Sequence, residues 1–345
     1  MFDLETFKDN LFYRGGFSAF WQLNDQNCNY SHIYTNASMQ SFLAHFPDMV
    51  IGMGECFDGF IERHNKSFFI YFSDQLYEPV CFNHLRQIVR ENFSFNQQSF
   101  YYDEKKSIFF DSFDLYKKDQ VIRPLFECIS RDHFLEAVVV SVIAEVPLRI
   151  DPGVGIEGEG SAFFFRKMFE ELLIQGKLWQ GLLALDHYGM LDYYLPELNA
   201  LKGISQDKDY HPEGDAFEHI MECLNYITSR NLVLAWAVLL HDLGKARSQA
   251  SKTRKFDQHA QMGVPLAKKI LSRMRYDFQM IEDVAFLIEN HMLPLFVPHM
   301  AEKEKLNLLG HPLIKPLFQL FKIDILGSHK DMAQYTRIKH ILKKE

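Results

Sequence analysis

The residues with the clearest chemical potential are a histidine and an aspartate in succession, His241-Asp242, at the end of the apolar run Leu232–Leu240. The run is too apolar for a surface helix and too short to span a bilayer, so it predicts a helix that is buried on all sides. An imidazole and a carboxylate carried into such an environment are costly unless they are paired or bound to a metal. The dipeptide therefore indicates either a capped core histidine or part of a metal site.

Other imidazoles and carboxylates fall on the apolar faces of neighbouring helical segments. The capping-box pair Asp215 and Glu218 predicts a helix that begins at Ala216 and carries His219. Later helices are predicted at Gln258–Arg275, Met280–His291 and Leu313–Leu326. The residues that these segments direct toward a common interior are His219, His241, Asp242, His259, His291 and Asp324. Each one alone could be a satisfied core residue, but the whole set predicts a metal site.

This set of imidazoles and carboxylates, without cysteine, suits one or two divalent metal ions. Nitrogen and oxygen donors accept Mn, Ni, Fe, Mg or Zn, and the sequence does not choose among them. The mixture is typical of a catalytic site that keeps water on the metal. Asp242 and Lys245 are the predicted catalytic residues, the first as a bridging ligand and the second as a contact to a phosphate oxygen. Alternatively, Lys245 is a solvated cation that favours the helix dipole.

Composition and charge restrict the function classes. Of the 345 residues, 47% are hydrophobic and 24% are charged, which is typical of a globular protein. The net charge of −8 argues against a general nucleic-acid or membrane-surface binder, but it is compatible with a local basic groove. The five scattered cysteines lack CxxC spacing and are interpreted as reduced core residues. Because no signal-peptide pattern is visible, we expect a cytoplasmic protein.

The coarse pattern predicts an α+β fold, with a small N-terminal mixed α/β head followed by helices. Strands are predicted at Met49–Gly52 and Ser67–Phe72, with a hairpin around Glu104–Lys106. Helices in the head are predicted at Met39–Phe46, Gly54–Ile61 and Phe82–Asn92. After Arg123-Pro124 the strand signals stop. Further helices are predicted at Asp132–Ile143, Phe163–Ile174, Leu182–Tyr188 and Met190–Leu195.

The order of His219, His241-Asp242 and Asp324 resembles the H…HD…D pattern of the HD superfamily of metal-dependent phosphohydrolases. More narrowly, the chain resembles the bacterial CCA-adding tRNA nucleotidyltransferase and poly(A) polymerase family with an appended HD domain. The stretches that carry this resemblance are Phe169–Leu173, Gly189–Leu191, Leu195–Leu198, His211–Asp215, His241–Lys245 and Ile323–Gly327. It implies a nucleotidyltransferase-like head at 1–125, an all-α neck at 126–205 and an all-α HD domain at 206–345.

The head departs from that family's pattern, which is a Gly-Gly turn, an Arg-Asp pair, and two carboxylates separated by one residue on the next strand. The segment Met53–Asp58 fits the turn only at Gly54 and Asp58, and the strand Phe68–Phe72 has no carboxylate. Asp111 and Asp114 are three residues apart, so they face opposite sides of a strand. Because nucleotidyl transfer needs paired carboxylates around Mg²⁺, we expect a degenerate head that does not add nucleotides.

The hypothesis favoured by these patterns is an HD-type phosphohydrolase that cleaves a nucleotide or RNA-end phosphoester with a metal-activated water. The resemblance suggests 2′,3′-cyclic phosphodiesterase, 2′-nucleotidase or phosphatase activity, with Lys245 and His211 as substrate contacts. One alternative is a tRNA CCA-adding or poly(A) nucleotidyltransferase. Another is a non-catalytic RNA-binding protein with structural metals. tRNA is a candidate partner, whereas DNA and membranes are not expected.

Overall fold

The computed structural model describes residues 4–15, 17–19, 29–52, 57–72, 95, 100–111, 121–204, 214–248 and 258–343. The chain forms two compact units, Met1–Glu171 and Leu172–Glu345. The first contains a sheet and helices and the second is helical, so the predicted α+β class is confirmed. The three-part division at residues 125 and 205 stays a prediction. Among the described residues, no helix is both long enough and apolar enough to cross a membrane.

The first unit is built on a seven-stranded sheet with the order β3-β4-β5-β2-β1-β6-β7. Its strands are β1 (Phe12–Gly15), β2 (Tyr30–Thr35), β3 (Val50–Ile51), β4 (Gly59–Arg63), β5 (Lys66–Phe72), β6 (Phe100–Asp103) and β7 (Ile108–Asp111). Strands β2 and β5 are parallel, and the other neighbouring strands are antiparallel. The helices of this unit are α1 (Met39–His45), α2 (Arg131–Ala144) and α3 (Ala162–Ile174), the last of which ends in the second unit.

Side-chain alternation along β2 directs two sets of residues to opposite faces of the sheet. On one face, Ile33 belongs to an apolar cluster that includes Phe42 of α1. On the other face, Tyr30 and His32 meet residues of α2 and α3. The ring of His32 stacks on Phe69 of β5, with 5.3 Å between centroids. Both faces of the central strands are therefore buried, which explains their high aromatic content.

Two predictions about the strands are wrong. Gly54–Ile61 is predicted as helical, but Gly59–Arg63 is strand β4 and residues 53–56 lie outside the described parts of the chain. Here the pairing of Phe60 with Phe69 in β5 overrides the local pattern. Strand structure also continues after Arg123-Pro124, because β8 (Cys128–Ser130) pairs in parallel with β9 (Gly155–Glu157). Strands of three residues are too short to show a hydrophobic period.

Other predicted elements agree with the structure to within a few residues. The strand at Ser67–Phe72 is β5, and the hairpin around Glu104–Lys106 joins β6 to β7. Strands β1 and β2 were not predicted from the sequence. The predicted helix Phe82–Asn92 falls on residues that the structure does not describe.

The second unit is a bundle whose central helix is the apolar run at Leu232–Leu240. Its helices are α4 (Leu178–His187), α5 (Met190–Tyr194), α6 (Pro196–Asn199), α7 (Ala216–Asn225), α8 (Leu232–Leu240), α9 (Lys245–Ser248), α10 (His259–Arg273), α11 (Phe278–Asn290), α12 (Glu302–Leu309), α13 (Ile314–Gly327) and α14 (Ala333–Lys343), with a 3₁₀ helix at Leu293–His299. Helix α8 packs against α7, α11 and α13. Every residue from Leu234 to Leu240 is buried, as predicted.

Candidate metal centre

Local sequence signals place the first donors on helix α7. Asp215 caps this helix by accepting hydrogen bonds from the backbone N–H groups of Phe217 and Glu218, and the Glu218 side chain accepts one from the N–H of Asp215 in return. The predicted capping box is thus present. It fixes the start of α7 so that His219 and Cys223, one turn apart, lie on the same buried face.

The remaining donors lie at helix ends or on the inner face of α13. His241 follows the last residue of α8, and His291 follows the last residue of α11. His259 is the first residue of α10, and Asp324 lies within α13. Helix ends can turn a side chain inward without a backbone break, so separate helices can supply one site.

The backbone between Asp242 and α10 is in very close contact at Gly244. A Cβ atom at Gly244 would lie 1.8 Å from the carbonyl oxygen of His259 and 2.7 Å from the backbone nitrogen of Gly263. Only a residue without a side chain fits between the two segments. This close approach brings His259 Nε2 to 3.3 Å from Asp242 Oδ1.

One group of donor atoms consists of His219, Cys223, His241 and Asp324, whose ligand atoms lie within 4.8 Å of one another. Asp324 Oδ1 is 3.1 Å from His219 Nε2 and 4.0 Å from His241 Nε2. Cys223 Sγ is 3.5 Å from His219 Nε2. These separations are compatible with a single ion among the atoms.

A second group consists of Asp242, His259 and His291. The Nε2 atoms of His259 and His291 are 3.1 Å apart. Asp242 also reaches the first group, because its Oδ2 lies 3.6 Å from His219 Nε2 and 3.5 Å from His241 Nε2. The two oxygens of one carboxylate therefore face two groups of donors, which suits one ion or two.

The hydrogen bonds of His241 and His291 are compatible with a cation bound between the donor groups. His241 Nδ1 lies 2.9 Å from the carbonyl oxygen of Val238, and His291 Nδ1 lies 2.7 Å from that of Ile288. Each Nδ1 therefore carries the proton and donates it, which leaves a lone pair on Nε2 of the neutral ring. Within the parts of the chain that the structure describes, His241 Nε2 has no hydrogen-bond partner. A buried lone pair of this kind is what a metal ion satisfies.

The protonation states of these side chains also suit metal binding. Burial lowers the pKa of His241 and of His291 and so keeps both rings neutral. Burial alone would raise the pKa of Asp242, but the positive charge of Lys245 outweighs it and holds this pKa well below its usual range. Burial is likewise outweighed at Asp324, where His219 lowers the pKa of the carboxyl. Both aspartates are therefore carboxylates.

The structure brings all six predicted metal-site residues together. Lys245 is adjacent to them, with Nζ 2.7 Å from Asp242 Oδ2, and its side chain is buried. His211, the other predicted substrate contact, lies outside the described residues. The catalytic, metal-binding and substrate-binding roles of all these residues stay predictions.

Sequence reasoning left one donor out. The cysteines are predicted to be core residues and not ligands, and Cys223 is indeed buried, but its sulfur lies within the first donor group. The signal that could have identified it is its position four residues after His219 on the same helix face. Cys223 lacks CxxC spacing because the other donors of its group are two histidines and an aspartate.

The segment that carries both groups of donors is similar to a known family. The family model described as "HD domain" matches residues 216–326. The matched segment runs from the first residue of α7 almost to the end of α13, so it contains both groups of donors.

Curated relatives support the narrower resemblance to tRNA nucleotidyltransferases that have an HD domain. The A-adding tRNA nucleotidyltransferase of Deinococcus radiodurans is 36% identical over 124 residues, which are 34% of this chain and 28% of that protein. The Multifunctional CCA protein of Alkalilimnicola ehrlichii is also 36% identical over 124 residues, which are 34% of this chain and 30% of that protein. The chain thus matches less than a third of the length of these relatives.

Solved structures extend the likeness in fold beyond the HD domain. A tRNA nucleotidyltransferase in complex with a primer tRNA and an incoming ATP analogue has a TM-score of 0.51 and 14% identity, and the match covers 99% of this chain and 97% of that one. A tRNA-processing enzyme in its apo form has a TM-score of 0.52 and 13% identity, with 99% and 94% covered. At this identity the comparison shows a shared fold.

The predicted phosphohydrolase function is wrong. The relatives that match this chain are named as tRNA nucleotidyltransferases or multifunctional CCA proteins, and the solved structures with this fold include tRNA nucleotidyltransferases. The expectation that nucleotidyl transfer is replaced by hydrolysis is overturned by the same findings. The physical reason is that the H…HD…D spacing specifies where an ion can bind, whereas it does not specify the reaction, which depends on the substrate and on groups outside the ligand set.

Proposed function

We propose that this protein acts on the 3′ end of tRNA as a nucleotidyltransferase of the A-adding or CCA-adding type. The proposal is supported by the 36% identity to an A-adding tRNA nucleotidyltransferase over 124 residues, together with a fold that matches a tRNA nucleotidyltransferase over 99% of this chain. tRNA and a nucleoside triphosphate would be its substrates. We also propose that it works in the cytoplasm.

The proposal includes a divalent ion that is bound by the two donor groups. The two donor groups supply imidazole nitrogen and carboxylate oxygen, which suit several first-row metals. Nucleotidyl transfer needs a divalent ion at the triphosphate as well.

The proposal is tested with tRNA transcripts that differ only at the 3′ terminus. One lacks CCA, one ends in CC, and the matched control already ends in CCA. Each is incubated with the purified chain, Mg²⁺ and labelled ATP or CTP. We expect label to enter one or both shortened transcripts and not the complete one. An equal lack of incorporation with all three transcripts, at enzyme concentrations that saturate binding, would refute nucleotide addition.

A second candidate function is tRNA binding without nucleotide addition, and the central strands of the sheet favour it. Neither β2, with the sequence YSHIYT, nor β5, with the sequence KSFFIYF, contains a carboxylate. The carboxylate that reaches β2 from α2 is Glu136, which is engaged by Tyr30 Oη at 2.9 Å and by His32 Nε2 at 3.0 Å. These partners leave it poorly disposed to bind Mg²⁺ at a triphosphate.

The same transcripts distinguish the two candidates. Gel-shift measurements on the three transcripts give their dissociation constants. Binding of tRNA in the micromolar range or tighter without incorporation would support the second function. A protein that neither binds nor extends any transcript would refute both.

A further inference from the structure

Cys223 is positioned toward the donor groups by two helices. It lies on α7 one turn after His219, is fully buried, and has its Sγ 3.8 Å from the carbonyl oxygen of Ile323 in α13. Helix α13 leaves space for this sulfur at Gly327, where a Cβ atom would lie 2.4 Å from Sγ. The Cys223 sulfur therefore occupies space that a side chain at position 327 would fill.

Two separations in this donor group are close to those of a four-coordinate site, and a third, from His241 Nε2 to Asp324 Oδ1, is longer at 4.0 Å. An ion with Zn–S and Zn–N bonds of about 2.3 and 2.0 Å separates neighbouring tetrahedral donors by about 3.2–3.6 Å. Here His219 Nε2 is 3.5 Å from Cys223 Sγ and 3.1 Å from Asp324 Oδ1. The buried Nε2 of His241, which lacks a hydrogen-bond partner among the described residues, belongs to the same group of donors.

We propose that Cys223 is a thiolate ligand of a divalent ion that is also held by His219, His241 and Asp324. On binding, the sulfur–metal bond replaces the S–H bond, and the thiol proton passes to solvent. The thiolate and the Asp324 carboxylate then balance the two charges of the ion, while both imidazoles bind as neutral rings. A sulfur donor selects Zn²⁺ or Co²⁺ over Mg²⁺.

This assignment would give the ion a sulfur donor in addition to the neighbouring Asp242 carboxylate, whose Oδ2 lies 3.6 Å from His219 Nε2 and 3.5 Å from His241 Nε2. It is independent of the proposed action on tRNA, which concerns the head.

The test is a spectroscopic one on the whole chain. Wild type and the variants Cys223→Ser, Cys223→Ala and Cys128→Ser are stripped of metal, reconstituted with Co²⁺ and measured for cobalt content and for absorption by thiolate-to-Co²⁺ charge transfer. Cys128→Ser is the matched control, because Cys128 is exposed and lies on β8 in the other unit. Circular dichroism checks that each variant is folded.

We expect the charge-transfer band in wild type and in Cys128→Ser, and its loss in both Cys223 variants. Zn²⁺ affinity, measured by competition with a chelator, should fall by about 100-fold in Cys223→Ala, since even the loss of a partner behind a ligand costs roughly 10- to 100-fold. Cys223→Ser keeps the size of the side chain, so it remains informative if the alanine variant does not fold. A wild type that binds no Co²⁺, or one that binds it with the same spectrum as Cys223→Ser, would overturn the assignment.

Discussion

Gly244 offers the sharpest test of how the helices that carry the donor groups are held together. Replacement by alanine places a methyl group 1.8 Å from the carbonyl oxygen of His259, whereas ordinary contacts begin at 3.4 Å. The obstruction is buried backbone, so relief requires the start of α10 to move by more than an ångström. Overpacking of a core costs about 1–3 kcal/mol and occasionally more, and we expect Gly244→Ala to lie at the upper end of that range.

Gly263 provides a matched control for this substitution, because it lies on the other side of the same contact. An added Cβ atom there would be 3.3 Å from the nitrogen of Gly244 and 3.7 Å from Ile288 Cγ2, which needs only a small adjustment. Since Gly263 is inside α10, alanine also gains up to about 1 kcal/mol of helix propensity. We therefore expect the stability of Gly263→Ala to be within about 1 kcal/mol of that of wild type.

Urea unfolding followed by circular dichroism measures both variants, and metal content is determined on the same samples. Movement of α10 carries His259 away from Asp242, so Gly244→Ala should also lose affinity at the second donor group. Equal unfolding midpoints and equal metal content for Gly244→Ala and Gly263→Ala would show that the contact can relax freely, and the steric argument would fail.

Three further outcomes are expected. Tyr276→Phe should lower the free energy of unfolding by about 1–3 kcal/mol, because Trp236 Nε1 donates a buried hydrogen bond to Tyr276 Oη at 2.8 Å; full stability in urea unfolding would contradict this. Burial alone would raise the pKa of Glu136, but His32 outweighs it and lowers this pKa. The stabilisation from ionised Glu136 is therefore present above the carboxyl's unfolded pKa of 4.5 and lost as the pH falls through the folded value. Glu136→Gln should lose stability at neutral pH and show a weaker decrease on acidification, measured by urea unfolding across that range; a slope equal to that of wild type would exclude the ion pair. Treatment with a chelator should lower the melting temperature and re-addition of Zn²⁺ should restore it, and identical thermal unfolding curves would argue against a bound ion.

The helical half was predictable because its signals are local and strong. The capping box of Asp215 and Glu218 set the start of α7, and the apolar run Leu232–Leu240 could only be a buried helix. A polar side chain that faces inward on such a helix costs free energy unless it is hydrogen-bonded, paired with another charge or bound to a metal ion. His219, Asp324 and the other predicted donors could therefore be identified without any knowledge of the tertiary arrangement.

The rest depended on tertiary contacts that the sequence does not display. Strand β2 carries His32 and Tyr30 on a buried face, and their polar groups are satisfied by Glu136, which is more than a hundred positions away in the chain. Cys223 resembles any core cysteine until α13 lies against it at Gly327. The reaction could not be predicted either, because a set of metal ligands determines which ion can bind but not which substrate reacts.

The distribution of donors along the chain has a consequence for the order of folding. His219 and Asp324 touch in the native state but lie on α7 and α13, at opposite ends of the HD domain in sequence. Loops that long must close before such contacts form, so the centre is assembled late in folding. During synthesis, the ion cannot acquire its complete set of ligands until α13 has emerged from the ribosome. Metal uptake would thus report that the whole domain has been made.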